Sequence, residues 1–241
     1  MNKSKSIKGR NLVWIVMPTI GFLLCTWMAN SLAQQSQQGK VDPVALYQDT
    51  QKIVQKAGQM TLVWWIPEEF WHVSSADDPR VTKEQAEKLI EVLRPYTLII
   101  VIDGKIGPLS AVTYRTEQEI RAGIQMKDSW GNYYRPLSED KIDANCENFL
   151  SIMKPIFISA LGPMGQNMHF FLFPGKSQIG LKIVEAKKKG SFSVILGERK
   201  FQWRLPLGSL LAPKICPTCK ENCSGAWNFC PWCGTRLPNR I

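Results

Sequence analysis

The sequence predicts an α+β domain, a mainly antiparallel sheet with packed helices. Three observations lead there. Several short apolar runs come in pairs around turn residues, as the arms of hairpins do. The segments with helical periodicity stand apart from those pairs. No regular strand–helix alternation runs through the chain of the kind that builds a doubly wound parallel sheet. An apolar fraction of 44% with 21% charged residues is that of a globular protein, and no repeat of about 20–50 residues marks a solenoid or propeller.

Residues 1–33 read as an address. Lys3, Lys5, Lys8 and Arg10 make the start cationic, and Leu12 to Ala29 carries no charge. Ser31 and Ala33 are small enough for the −3 and −1 positions of a cleavage site. The apolar run is longer than the roughly 7–15 residues of a signal core and short of the about 20 of a spanning helix. It is therefore either a cleaved signal peptide or an uncleaved membrane anchor, unless it is the apolar start of a cytosolic domain. Leu24 before Cys25 argues against a lipoprotein signal. On the first two readings the chain beyond Ala33 is expected to be exported, to the periplasm or another extracytoplasmic space.

Residues 34–41, with "QQSQQGK", read as a linker, and residues 42–213 as the α+β domain. Asp42-Pro43 is an N-cap followed by proline at the first helical position. Leu46, Tyr47, Ile53, Val54 and Ala57 at helical spacing predict a helix reaching to about Gly58. "MTLVWWIP" is apolar, β-branched and aromatic, hence a buried strand. Thr82 caps "KEQAEKLIEVLR", which Pro95 ends. "YTLIIVIDGKIGPLSAVTY" reads as two strands turning at Asp103-Gly104. "IRAGIQMKDSWGNYYRPL" reads as a hairpin turning at Asp128 to Asn132. A helix opens at Ser138 and runs toward Ala160, with Pro155 expected to kink or break it. "NMHFFLF" is a strand, "FSVILGERKFQWRL" a hairpin with Gly197-Glu198 at its tip, and "RLPLGSLLAPK" an extended strap.

The sharpest chemical signal is "CPTCKENCSGAWNFCPWCGTRL". Cys216 and Cys219 form one C-x-x-C, and Cys230 and Cys233 form another. A two-residue spacer turns both thiolates of a pair toward one ion. Four such sulfurs suit zinc, with no coordination position left open for catalysis. The knuckles "CPTC" and "FCPWCG" resemble those of the zinc-ribbon family, over about residues 214–237. The resemblance implies a small zinc ribbon at residues 214–241, with Cys216, Cys219, Cys230 and Cys233 holding one structural Zn²⁺. It says nothing of the domain before it, in which no family is recognised. Cys223 departs from the pattern: it can substitute for Cys219, pair elsewhere, or stay free. Six cysteines beyond the first segment also suit a disulfide framework, or the zinc site plus a Cys146–Cys223 bridge.

No catalytic signature accompanies it. The domain holds His72 and His169 and lacks G-x-S-x-G. "LGPMGQN" lacks the lysine and hydroxyl of a phosphate loop. Glu69 and His72 have the spacing of a metal half-site without a second copy. Trp64, Trp65, Trp71 and His72, with Trp130 and Phe70 nearby, are the candidate binding surface, for a ligand groove or a membrane interface. The net charge is +10, with Lys187 to Lys189 the densest run. No basic stripe is interleaved with aromatics as single-strand binders require. The leading expectation is a non-catalytic exported or membrane-associated protein, binding a protein or membrane surface, with nucleic acid disfavoured. An envelope hydrolase using Glu68, Glu69, His72 or Asp103 is the alternative.

Overall fold

The computed structural model describes residues 41–56, 58–76 and 81–238; the address segment and most of the linker lie outside them. The described chain is α+β, as expected. Five helices, α1 (Pro43–Thr50), α2 (Glu68–Ala76), α3 (Lys83–Leu93), α4 (Glu117–Gly123) and α5 (Ala144–Leu161), accompany eleven strands. Strands β1 (Gln51–Lys56), β2 (Gln59–Ile66), β3 (Tyr96–Ile106) and β4 (Val112–Tyr114) pair in that order, and β7 (His169–Pro174) pairs with the other half of β3. A second sheet has the order β6 (Tyr133–Tyr134), β5 (Ile124–Lys127), β8 (Gly190–Leu196), β9 (Arg199–Leu205). All the pairings are antiparallel. None of the helices among the described residues is long and apolar enough to cross a membrane.

The first sheet is covered on both faces, which is why its central strands read as unbroken apolar runs. On one face Leu62, Trp64, Ile66, Leu98, Ile100 and Ile102 pack under α5 and the end of α3, against Phe149, Leu150, Phe157 and Leu93. On the other, Val63, Trp65, Ile99, Val101, Phe171 and Phe173 meet the second sheet through Met126, Phe192, Val194, Phe201 and Trp203. The order is helices, sheet, sheet. Thr50 sits between the two cores: Trp64 donates its indole N–H to Thr50 Oγ1, and Trp203 donates to the Thr50 carbonyl, each at 3.1 Å.

Several expectations are corrected by this arrangement. The first helix stops at Thr50, because residues 51–56 pair with β2 as an edge strand and leave Ile53 exposed. Asp103-Gly104 is no turn. Strand β3 runs through it to Ile106, and the chain reverses at Gly107–Ala111 instead. Gly104 is required for a different reason: a Cβ there would lie 2.8 Å from Val112 Cγ1 and 3.2 Å from the Tyr114 ring. Helix α5 starts at Ala144 on an Asp143 cap and continues through Pro155, which lies on the solvent face. The Thr82 cap of α3 and the hairpin turns at Asp128 to Asn132 and at Gly197-Glu198 form as predicted, and Gln85 completes a capping box with Thr82.

Asp103 is buried between the sheets. Arg199 of β9 donates to both its carboxylate oxygens, at 2.7 and 2.8 Å. Thr61, opposite it on β2, donates at 2.7 Å, and Arg115 at 3.3 Å. Burial pushes the carboxyl up, but hydrogen bonds from Arg199, Thr61 and Arg115 outweigh it and hold the group below the ordinary aspartate range. This contribution is therefore present above an unfolded pKa of about 3.9 and is lost as pH falls through the lower folded value. Asp103→Ala leaves two guanidinium groups without their carboxylate and should cost about 3–5 kcal/mol in urea unfolding. The paired change Asp103→Leu with Arg199→Leu should recover most of that and flatten the loss of stability below about pH 4.

Candidate metal centre

The tail is built from two copies of one turn. In each, the amide four residues after the first cysteine donates to that cysteine's carbonyl: Lys220 to Cys216 at 3.0 Å, Gly234 to Cys230 at 2.9 Å. In each, the cysteine amide donates to the carbonyl five residues on: Cys216 to Glu221 at 2.9 Å, Cys230 to Thr235 at 2.8 Å. The residue that closes each turn has positive φ, 62° at Lys220 and 72° at Gly234. The first copy is flanked by the two-residue strands β10 (Lys214–Ile215) and β11 (Asn222–Cys223), the second by a bridge between Phe229 and Arg236. Thr235 donates to Thr218 at 3.0 Å and ties the two copies together.

These turns bring the sulfurs of Cys216, Cys219, Cys230 and Cys233 within 4.8 Å of one another. Four sulfurs about 2.3 Å from one ion in a tetrahedron lie about 3.8 Å apart. The close edges here, Cys216 to Cys233 at 3.5 Å and Cys219 to Cys230 at 3.6 Å, are near that value. The group can hold a metal ion. Its thiols are driven apart in acidity: the hydroxyl and backbone of Thr235 bring Cys233 down to about 6. At Cys219 the Glu221 backbone lowers the value, yet lost hydration and the sulfurs of Cys216, Cys230 and Cys233 push it up to about 12. Four thiolates this close repel one another, and a cation at their centre removes that cost.

Cys223 is drawn in as well. It is buried with Cys216, Cys230 and Leu237, and its sulfur lies 3.8 Å from that of Cys230. The Cys146–Cys223 bridge is not formed, since both thiols are free. Cys146 belongs to the core under α5, and burial, followed by Asp143 and Glu147, pushes its thiol up to about 11.

Of the other candidates, Trp65, Glu68, Glu69 and Trp71 line one cavity of about 300 Å³, and the rest lie apart from it. Trp64 and Trp65 are buried on opposite faces of β2, because neighbouring strand residues point to opposite sides, so they form no common surface. Trp71 packs its ring 5.3 Å from that of Phe149, and His72 lies between Glu68 and Glu87 at 3.9 and 3.6 Å. Glu68 is paired with Arg94 and Lys182, and Glu69 with Lys187. His169 lies on β7, where burial lowers its pKa. The exposed aromatic groove lies elsewhere. Trp130 and Tyr133 line a groove of about 850 Å³ with Lys176, Ser177, Ile179 and Leu181, where the Ser177 hydroxyl is buried without a partner. Only Trp130 of these was visible in the sequence. Ile179 and Leu181 are exposed apolar residues in the turn after β7, which has no periodicity to show them.

The fold and the site define an α+β chain with a four-cysteine cluster compatible with a zinc-ribbon-like tail. No family model, curated protein or solved structure matches the chain.

The positive φ values make a test. Gly234→Ala should weaken metal binding by about 1–2 kcal/mol through left-handed strain, and Lys220→Gly should strengthen it by up to about as much. Competition with a chelator measures both.

Proposed function

We propose that the chain is a non-catalytic exported or membrane-associated protein that acts in binding or assembly at the cell envelope, its tail folded around one structural zinc. The observation that carries the metal part is the closure of four cysteine sulfurs within 4.8 Å. Soft thiolate ligands favour zinc among the common divalent ions, and a complete set of four protein ligands leaves no position for a reacting water. The zinc supplies what this segment lacks. Among its described residues the only buried ones besides three cysteines are Lys214, Gly225 and Leu237, too few to fold it.

Three features support binding over catalysis. Phe229 and Trp232 are 61% and 75% exposed on the second knuckle. The groove at Trp130 and Tyr133 is a second apolar surface. Asp103, the acid best placed for chemistry, is committed to Arg199, Arg115 and Thr61. The partner is a protein or a membrane surface. Export, expected from the uncharged run Leu12 to Ala29, disfavours nucleic acid.

The test measures bound metal and free thiols together on the full chain made in an exporting host. One zinc per chain, with four further thiols becoming reactive after chelation, is the expected result. A protein without metal and without free thiols in the tail is a disulfide knot, and the zinc reading fails.

A further inference from the structure

We propose that Cys223 is an interchangeable fifth ligand, so that an ion held by Cys216, Cys230 and Cys233 takes its fourth sulfur from either Cys219 or Cys223. The inference rests on the reading that the tail binds a metal.

Its ground is geometric. Cys219 and Cys223 both approach Cys230, with sulfur separations of 3.6 and 3.8 Å, and the second equals the about 3.8 Å edge of a tetrahedral zinc–thiolate site. Both come from the same hairpin, Cys219 from its loop and Cys223 from β11, where it pairs with Lys214. Cys223 is 98% withdrawn from solvent, and its remaining polar neighbour is the Glu221 carbonyl at 3.7 Å, which a thiol engages only weakly as a donor. A thiol packed for its volume alone would sit against carbon; this one sits against a ligand sulfur. The two alternatives also differ in access, since Cys219 is exposed and Cys223 is buried. If Cys219 detaches, or is modified from solvent, a buried thiol already lies beside Cys230, one of the three ligands that remain.

The experiment loads the full chain with Co²⁺ and with zinc. Its readouts are metal per chain, the intensity of the cobalt–thiolate charge-transfer band, and transfer to a chelator. Cys219→Ser should keep one ion and the four-thiolate band. Cys219→Ser with Cys223→Ser should lose about a quarter of the band and bind at least about 100-fold more weakly, as removal of a ligand exceeds the 10–100-fold effect of a supporting group. Cys233→Ser, which has no spare, should resemble the double variant. Because Cys219→Ser can also disturb the tail, Cys223→Ala gives a second reading with all four primary ligands in place. It should keep the four-thiolate band yet release zinc to chelator about tenfold faster, recapture by the spare thiol being lost. A three-thiolate band in Cys219→Ser together with an unchanged release rate in Cys223→Ala overturns the proposal. A wild-type chain that takes up neither metal overturns the metal reading itself, so the two failures are distinguishable.

Discussion

Strand β3 can exist only inside three layers. From Thr97 to Gly104 its residues are buried, and it pairs with β2 along one edge and with β7 and β4 along the other. A strand apolar on both faces needs two covers, and the chain supplies them from different places. The helix cover comes from α5 and α3, the sheet cover from β5, β8 and β9. Asp103 is the charged residue in this buried stretch. An ionised carboxylate in that position is tolerated only with its oxygens occupied. Arg199, at the start of β9, both neutralises it and fixes where the second sheet sits on the first.

The tail follows a different logic. Its strands are two residues long and its apolar interior is almost absent, so it must borrow order. Part is internal, Lys214 donating its ammonium to the Trp227 carbonyl at 2.8 Å, while the strap leading into the tail is pinned to the domain by the Ser209 amide donating to Asp49 at 2.8 Å. Glycines mark where backbones meet. A Cβ on Gly225 would lie 2.5 Å from the Ala212 carbonyl, and one on Gly208 would lie 2.4 Å from Ser224 Oγ. The tail is thus seated before any ion is considered, and the ion's contribution is to hold the two knuckles together at their sulfurs.

What was legible in the sequence was local. The knuckles could be read because cysteine spacing fixes which sulfurs converge whatever the rest of the chain does. The Thr82 cap of α3 and the β8–β9 hairpin were legible for the same reason. What was lost depended on partners far along the chain. Residues 51–56 have an apolar spacing compatible with a helix, and pairing with β2 decides otherwise. Asp103-Gly104 has the composition of a turn, but the acid is matched by Arg199, 96 residues away, and the glycine by Val112 and Tyr114. Pro155 does not break α5 because it lies on the solvent face. Trp64 and Trp65 were adjacent in sequence and so looked like one surface, when adjacency in a strand is what separates them.

Within the cluster the sulfurs divide by access. Cys216, Cys223 and Cys230 are buried, whereas Cys219 and Cys233 are exposed. A thiol-reactive solute therefore reaches one sulfur of each knuckle before the rest. Metal coordination protects a thiolate by engaging its lone pair, so the exposed pair is vulnerable chiefly when a bond to the ion opens. Redundancy is useful only next to the vulnerable position, and Cys223 stands beside the same Cys230 that Cys219 contacts. A thiolate centre with sulfurs open to thiol-reactive solutes gains most from such a spare. That placement gives the departure of Cys223 from the double-knuckle pattern a physical reason.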